Sequence, residues 1–331
     1  MSSPGRSQGS LEKVSAMDTD HAPGPKDKRV DVTSAEKLVS VIVPTYNYAS
    51  LLTRALDSVT DQWADDLELI VVNDGSIDET PKILDDYVLC HPQVKVVHQD
   101  NAGPAAARNH GVRLASGRYA LMLDADDALL PNAMAVLRQA LELNPGAGMV
   151  LAGHQSVFPD GRERLQLPNP VAGLPAQLIR HYLLEKKISI SHGCSLFRRD
   201  LLLKRSYPEN LRSSEDIPVF AFLLVSAPVV CVREPVARIY KHEASLRHQR
   251  ENEENFVMEI VHEVFDPLPA ECQGLRKRYE AQRYLSLFRA AFLAGNKTKA
   301  REFFGRAVDS SPVQALRWAY LRKALRLWLI R

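Results

Sequence analysis

The chain of 331 residues is long enough for one large domain or a main domain with an appendage. Its 45% apolar and 25% charged residues are ordinary for a globular protein, and a net charge of +2 lacks the basic excess that a purely electrostatic nucleic-acid binder needs. The four cysteines, Cys90, Cys194, Cys231 and Cys272, stand far apart with no CxxC spacing, which argues against a zinc site or disulfide framework and for a reducing cytoplasm.

Residues 1–37 hold Pro, Gly, Ser and mixed charges without an apolar run. They read as a disordered leader rather than a signal peptide, because so little apolar surface does not offset ordering entropy. No window reaches the roughly 18 to 20 consecutive apolar residues of a spanning helix.

Order is expected to begin at Leu38–Pro44, a β-branched run ended by proline that reads as a buried strand. A helix follows over 50–62, with Leu51, Leu52, Ala55, Leu56 and Val59 at helical spacing. Leu67–Val72 is a second strand and closes on Asn73-Asp74-Gly75-Ser76, after which 78–89 reads as a helix. A third strand spans 94–98, a small-residue helix 105–115 and a fourth strand 119–123, stopped by Asp124-Ala125-Asp126-Asp127. A helix over 132–143 and a strand over 148–152 complete the first half. Strand and helix alternate throughout, which predicts an α/β, Rossmann-like, mostly parallel sheet flanked by helices.

Residues 154–240 are less regular, with helices expected at 180–185 and 218–225 and strands at 195–197 and 229–232. The natural division places a regular half at 38–153 and a less regular half at 154–250. Residues 251–331 form a helical C-terminal extension, with helical periodicity at 256–265, 278–293, 297–308 and 313–330.

In open α/β sheets ligands bind beyond the C-terminal ends of the strands. Thr45-Tyr46-Asn47, Asn73-Asp74-Gly75-Ser76 and Asp124-Ala125-Asp126-Asp127 each follow a predicted strand, and three such clusters on one edge exceed what turns alone demand. Two carboxylates one residue apart, Asp124 and Asp126, are hard oxygen donors suited to Mg2+ or Mn2+. Such an ion would offset the charge of a diphosphate leaving group. The alternative, that Asp127 and its neighbours cap the next helix, needs only one aspartate.

Together, Val41-Ile42-Val43-Pro44-Thr45-Tyr46-Asn47, Val72-Asn73-Asp74-Gly75-Ser76, Asn101-Ala102-Gly103-Pro104, Ala107-Arg108-Asn109-His110-Gly111 and Leu123-Asp124-Ala125-Asp126-Asp127 resemble family 2 glycosyltransferases in order and interval. The resemblance is close from Val39 to about Leu130 and looser to Arg247. It implies a GT-A fold, a nucleoside diphosphate sugar donor, a divalent cation and inversion at the anomeric carbon. Carried over by position, Pro44, Thr45 and Asn47 line the nucleoside pocket, and Asp74 accepts a hydrogen bond from the base. Arg108 lies near base and diphosphate, Asp124 contacts ribose or donor sugar, and Asp126 is the principal metal ligand.

Ser214-Glu215-Asp216 resembles the family's acidic acceptor motif, with Asp216 as general base and Glu215 orienting acceptor or donor sugar. A hydroxyl is a poor nucleophile at neutral pH, so a positioned base is what the chemistry requires. Ser214 or Asp216 opening a helix is the structural alternative, and the two readings are compatible. Tyr240–Ser245 resembles the segment that gives a histidine, here His242, to metal or diphosphate. Lys241 and Arg247 are available to neutralise phosphate, and Ser191-His192-Gly193-Cys194 forms a turn that can line the acceptor cleft.

In the last helix Trp318, Leu321, Leu325, Trp328 and Leu329 share a face opposite Arg322, Lys323 and Arg326. Such a helix can lie in an anionic membrane interface, or can pack its tryptophans on the domain; the sequence leaves both open. Contact through residues 313–331 at the inner face of the cell membrane would suit a glycan or lipid-linked acceptor, as in assembly of surface polysaccharide or lipopolysaccharide. A dehydrogenase or sugar-nucleotide-forming enzyme would carry a glycine-rich loop where this chain has Pro44-Thr45-Tyr46-Asn47. Glycoside hydrolases also use paired carboxylates, but the setting of Asp74, Asp124 and Asp126 favours nucleotide and metal. A non-catalytic nucleotide-sugar-binding scaffold that uses the helical tail for partners is the remaining alternative.

Overall fold

The computed structural model describes residues 37–211, 213–241 and 253–329. The expected leader up to residue 36, Arg247 and the expected metal ligand His242 lie outside the described residues.

The first half alternates as its pattern predicts. Strand β1 (Val39–Thr45), helix α1 (Leu52–Thr60), β2 (Leu67–Asp74), α2 (Thr80–Cys90), β3 (Lys95–Gln99), α3 (Pro104–Leu114) and β4 (Tyr119–Met122) follow in order. Their strands form the parallel block β3-β2-β1-β4. β1 and β2 are covered on both faces, which is why they read as unbroken apolar runs rather than alternating ones.

Beyond β4 come β5 (Ala128–Leu129), α4 (Ala133–Leu143), β6 (Met149–Val157) and β7 (Glu163–Gln166). Next are α5 (Pro175–Ile179), a π-helical turn (Arg180–Leu184), a 3-10 turn (His192–Cys194), β8 (Ser195–Arg198), α6 (Arg199–Lys204), α7 (Asp216–Ser226) and β9 (Val229–Tyr240). The nine-stranded sheet runs β3-β2-β1-β4-β8-β6-β9-β5, with β7 beside β6. Among the described residues β1, β2, β3, β4, β6 and β9 share one direction, and β5, β7 and β8 oppose them.

Three differences from the sequence expectations have physical causes. β9 continues past Val232 to Tyr240, because Pro235 falls at a register irregularity opposite Gly153, where a missing N–H is tolerated. β7 has three exposed residues and pairs only with β6, so it shows no apolar alternation. The expected helix over 313–330 is broken into α11 (Pro312–Ala315) and α12 (Trp318–Leu329), which lets Ala315, Ala324 and Leu327 all face one core.

Alternate side chains of β1 feed two cores. Val39, Val41 and Val43 meet α1, α2 and α4, while Ile42 on the other face meets α3. The second core extends without interruption through α7, α8 (Glu253–Phe265), α9 (Arg276–Leu293), α10 (Lys297–Ser310) and α12. The C-terminal helices therefore share the interior of the sheet domain. α9 and α10 form a hairpin through Gly295, whose φ of 74° suits glycine, and the Asn296 side chain caps α10 by accepting from Lys299 N at 3.0 Å. α12 buries Ala324 and Leu327 and half-buries Tyr320, a helical stripe, and leaves Trp318 70% and Leu325 45% exposed. No helix among the described residues is long and apolar enough to cross a membrane.

At the end of the sheet remote from the strand C-termini, buried Glu68 accepts from Ser40 Oγ (2.5 Å), Ser116 N (2.6 Å) and Lys95 Nζ (2.6 Å). Burial opposes its charge, but these donors outweigh burial and hold the carboxyl at about 2. Gly117 closes this knot, donating to Ser40 Oγ at 2.8 Å. A Cβ on Gly117 would lie 2.6 Å from Ser40 N and 2.9 Å from Val39 C, backbone atoms of a central strand. Gly117→Ala is therefore expected to destabilise the fold by about 1–3 kcal/mol, read as a lower urea midpoint.

Candidate active site

The parallel register aligns Thr45 with Asn73 and Ile42 with Met122, so the clusters after β1, β2 and β4 emerge at one edge of the sheet. The first two are stitched together. Asn47, at φ 58°, receives Ile77 N on its Oδ1 at 2.9 Å, and its own N–H donates to Ser76 Oγ at 2.9 Å. Buried Asp74 accepts from Gln99 Nε2 (2.8 Å) and Ala102 N (2.9 Å) on Oδ1 and from Gly103 N (2.8 Å) on Oδ2. It thereby holds the turn that opens α3. Thr45 is buried and its hydroxyl has no partner, and Pro44 beside it is half-buried.

Past β4 the carboxylates of Asp124, Asp126 and Asp127 converge, one oxygen from each lying within 4.8 Å of the others. None of them caps α4, whose N-cap is Asn132. Asp127 is buried and its Oδ1 accepts from Tyr240 N at 2.9 Å. Burial, then the charges of Asp124 and Asp126, push its carboxyl up to about 8, against the pull of the Tyr240 N–H and of Lys241. Half-buried Tyr48 is pushed up to about 12, first by burial and then by the same aspartates. Arg54 on α1 donates to the Asp126 carbonyl and lies 3.7 Å over the Tyr240 ring, fixing the backbone between the acids.

An all-carboxylate donor set with surplus negative charge fits a hard divalent cation such as Mg2+ or Mn2+. The spacing Asp-x-Asp-Asp already carried Asp127, but its part in the cluster depends on where β9 ends.

Arg108 on α3 connects this cluster to the second half of the chain. Its guanidinium donates to Asp124 Oδ1 at 3.1 Å and to Glu215 Oε1 at 2.8 Å. Burial disfavours its charge, but the two carboxylates outweigh burial and raise its pKa above the ordinary arginine value. Glu215 immediately precedes α7, behind Ser214 with its strained φ of 62°. Asp216 opens α7, half-buried, and its carboxyl is pushed up to about 6 by burial and then by Glu215, with Arg108 pulling the other way. Asp124, Arg108, Glu215 and Asp216 thus occupy one continuous site, although α3 and α7 are far apart in sequence. Arg108→Met would take away the guanidinium that the largely buried Glu215 carboxylate pairs with. A loss of about 3–5 kcal/mol is expected, measurable by urea unfolding.

The expected acceptor turn divides. His192 is buried, its Nε2 meets the Tyr207 hydroxyl at 3.0 Å, and burial, then Arg108, push its pKa down to about 3, so it is neutral. Burial likewise pushes the Cys194 thiol up to about 12. Ser191 and Cys194 line a cavity of about 40 Å³ with His154, Gln166, Ser189 and Ser195. Gly193 sets the turn against Asp127, where an added Cβ would stand 3.6 Å from Oδ2. Asn109, next to Arg108, clamps the irregular stretch before Glu215: Nδ2 donates to Tyr207 O and Glu209 Oε1, each at 2.8 Å, and Oδ1 accepts from Tyr207 N at 2.9 Å.

The chain is similar to known proteins at three levels. The sequence profile described as Glycosyl transferase family 2 matches residues 40–205, half of the chain. The uncharacterized glycosyltransferase EpsJ of Bacillus subtilis is 29% identical over 260 residues, spanning 74% of this chain and 68% of EpsJ. Two further curated relatives, YibD of Escherichia coli and EpsH of Bacillus subtilis, are matched over less than a third of their own length. Residues 1–349 of S. aureus TarS, solved in complex with UDP-GlcNAc, superpose with a TM-score of 0.64 at 20% identity, covering 84% of this chain and 82% of that one. The mannosyltransferase PcManGT of Pyrobaculum calidifontis, solved with GDP-Man and Mn2+, gives 0.50 at 18% identity over 88% of both chains. With the family profile matching half of the sequence and the fold superposing in this way, the chain belongs to glycosyl transferase family 2 and has a fold of the GT-A type.

Proposed function

We propose that this glycosyltransferase moves a sugar, with inversion, from a nucleoside diphosphate sugar to an acceptor hydroxyl on a glycan or a lipid-linked saccharide. The observation that carries the reading is the Arg108 bridge. It ties Asp124, in the acidic cluster, to Glu215 and so brings Asp216 to the same site. Residues 38–153 supply the nucleotide and metal half, 154–250 the acceptor half, and 251–331 a helical extension.

Pro44, Thr45 and Asn47 line the nucleoside pocket, where the unpartnered Thr45 hydroxyl awaits a ligand atom. Asp74 shapes the pocket by holding the Ala102–Gly103 turn, and its Oδ2 has acceptor capacity left for a base N–H. Asp124 faces ribose or donor sugar, steered by Arg108. Asp126 and His242 would hold the divalent cation, with Asp127 as a further donor. When bound, that Mg2+ or Mn2+ neutralises charge on the departing diphosphate. Asp216 removes the proton from the attacking hydroxyl, and Glu215, fixed by Arg108, orients the sugar. A carboxylate held near 6 is basic enough to take that proton and still mostly ionised at pH 7.

TarS with UDP-GlcNAc and PcManGT with GDP-Man and Mn2+ support a nucleotide-sugar donor and a cation of this kind. Peripheral contact with the inner face of the cell membrane through residues 313–331 belongs to the same reading, and with it work on surface polysaccharide or lipopolysaccharide. A panel of nucleotide-sugars with and without Mn2+ tests the reading. Metal-dependent release of nucleoside diphosphate is expected from at least one donor, whereas binding without release by every donor would mark a non-catalytic scaffold.

A further inference from the structure

Positive charge is distributed unevenly along this chain. From Arg276 to Leu329 there are thirteen Lys and Arg against three Asp and Glu, a net of +10 in a chain whose total is +2. Within that segment a cavity of about 240 Å³ opens between α9 and the start of α12, lined by Arg289, Arg317, Lys323, Tyr320 and Ala319. Two other basic residues of the segment are engaged: Arg301 donates to Leu327 O, and Arg276 pairs with Asp266. No side-chain hydrogen bond or ion pair engages Arg289, Arg317 or Lys323 among the described residues. Three uncompensated cations around one concavity repel one another, a cost that an anion removes.

The rim is apolar. Leu316 and Trp318, on either side of Arg317, are 55% and 70% exposed, and Leu293, one turn past Arg289 on α9, is 71% exposed. α12 already spends Ala324 and Leu327 on the core, so this rim is left for something outside the chain. Cations at phosphate depth beside an exposed tryptophan match the polar–apolar boundary of a bilayer leaflet.

We propose that this cavity is the phosphate-binding site of a membrane-docking surface. The headgroup phosphate of an anionic phospholipid seats among Arg289, Arg317 and Lys323, while Trp318 and Leu316 enter the interface. The proposal rests on the membrane contact inferred above and gives it a site; it does not depend on the catalytic assignment.

The test is flotation of the full chain with vesicles of phosphatidylcholine alone or mixed with phosphatidylglycerol. Wild type is expected to float only with the mixed vesicles, and less so at high salt. Each neutralised cation should weaken partitioning about five-fold through general attraction. The pair Arg317→Gln with Lys323→Gln is expected to lose at least about ten-fold more than Arg322→Gln with Arg326→Gln, two exposed cations of the same helix outside the cavity. Equal losses in the two pairs would overturn the cavity and leave membrane contact standing. Failure of wild type to float with mixed vesicles would overturn both. Release from vesicles by inorganic phosphate, beyond that given by chloride at the same ionic strength, would assign the cavity to a free anion instead of a lipid. Nucleotide-sugar hydrolysis by the same preparations reports the catalytic reading separately and verifies that each variant is folded.

Discussion

Asp216→Asn is expected to lower kcat by about a hundredfold or more while leaving donor KM nearly unchanged. The side chain keeps its shape at the start of α7 but no longer accepts the hydroxyl proton. Wild-type kcat/KM should fall as pH drops through about 6, because the base must be ionised and its carboxyl is pushed up to about 6 by burial and by Glu215. Residual activity of the variant should lack that limb. A variant retaining both the rate and the acid limb would remove Asp216 from the chemistry.

Stability should move the opposite way. The folded pKa of Asp216 lies above its unfolded value of 3.8, so folding favours the protonated form. The stability linked to this group is complete below about 3.8 and lost as pH rises through about 6. At pH 8 wild type therefore bears an electrostatic cost of up to about 3 kcal/mol that the amide avoids. The inactive variant is expected to unfold at higher urea than wild type at pH 8, with the difference shrinking towards pH 4. A base kept poised at the expense of stability shows this pairing.

The gathering of the clusters after β1, β2 and β4 at one edge was legible because its information is local. Val39–Thr45 and Leu67–Asp74 announce buried strands by composition, and parallel pairing then has to place whatever follows them at one edge. What stayed hidden depends on long-range closure. Arg108 and Glu215 are 107 residues apart, and no periodicity within either segment predicts their meeting. Asn109 reaches Tyr207 across 98 residues in the same way. Arg54 looks like one more solvated helix cation until β9 brings Tyr240 beneath its guanidinium.

Asp127 stands in the acidic motif after β4 but is not read from sequence as a cation ligand, since one aspartate of such a turn is enough to cap the next helix. Its burial follows from the Tyr240 N–H, supplied by a strand whose continuation through Pro235 a propensity reading disfavours. The last helix gives the converse lesson. Its sequence pattern reads as one helix over 313–330, yet the chain breaks between Ala315 and Trp318, and α12 buries Ala324 and Leu327 in the core.

The same closure governs what should happen when Asp126 is removed. Asp126→Ala is expected to cut transfer by about a thousandfold, the equivalent of some 4 kcal/mol of charge stabilisation at the leaving group. The fold should survive: Arg54 donates to the backbone carbonyl of residue 126, not to its side chain, so the loop keeps its anchor. Mn2+ titration by calorimetry supplies a readout independent of turnover. Wild-type affinity should rise with pH up to about 8, because an ion binding among Asp124, Asp126 and Asp127 must displace the proton that burial and the neighbouring charges hold on Asp127.

Asp127→Asn should flatten that dependence while still accepting from Tyr240 N through its amide oxygen. Asp126→Ala should weaken binding at every pH. It also takes one charge away from Asp127, whose carboxyl then titrates lower, so what binding remains should reach its plateau at a lower pH than in wild type. If the variant bound Mn2+ like wild type and kept metal-dependent turnover, the cation would have to sit elsewhere, and the convergence of three carboxylates at the end of β4 would need another explanation.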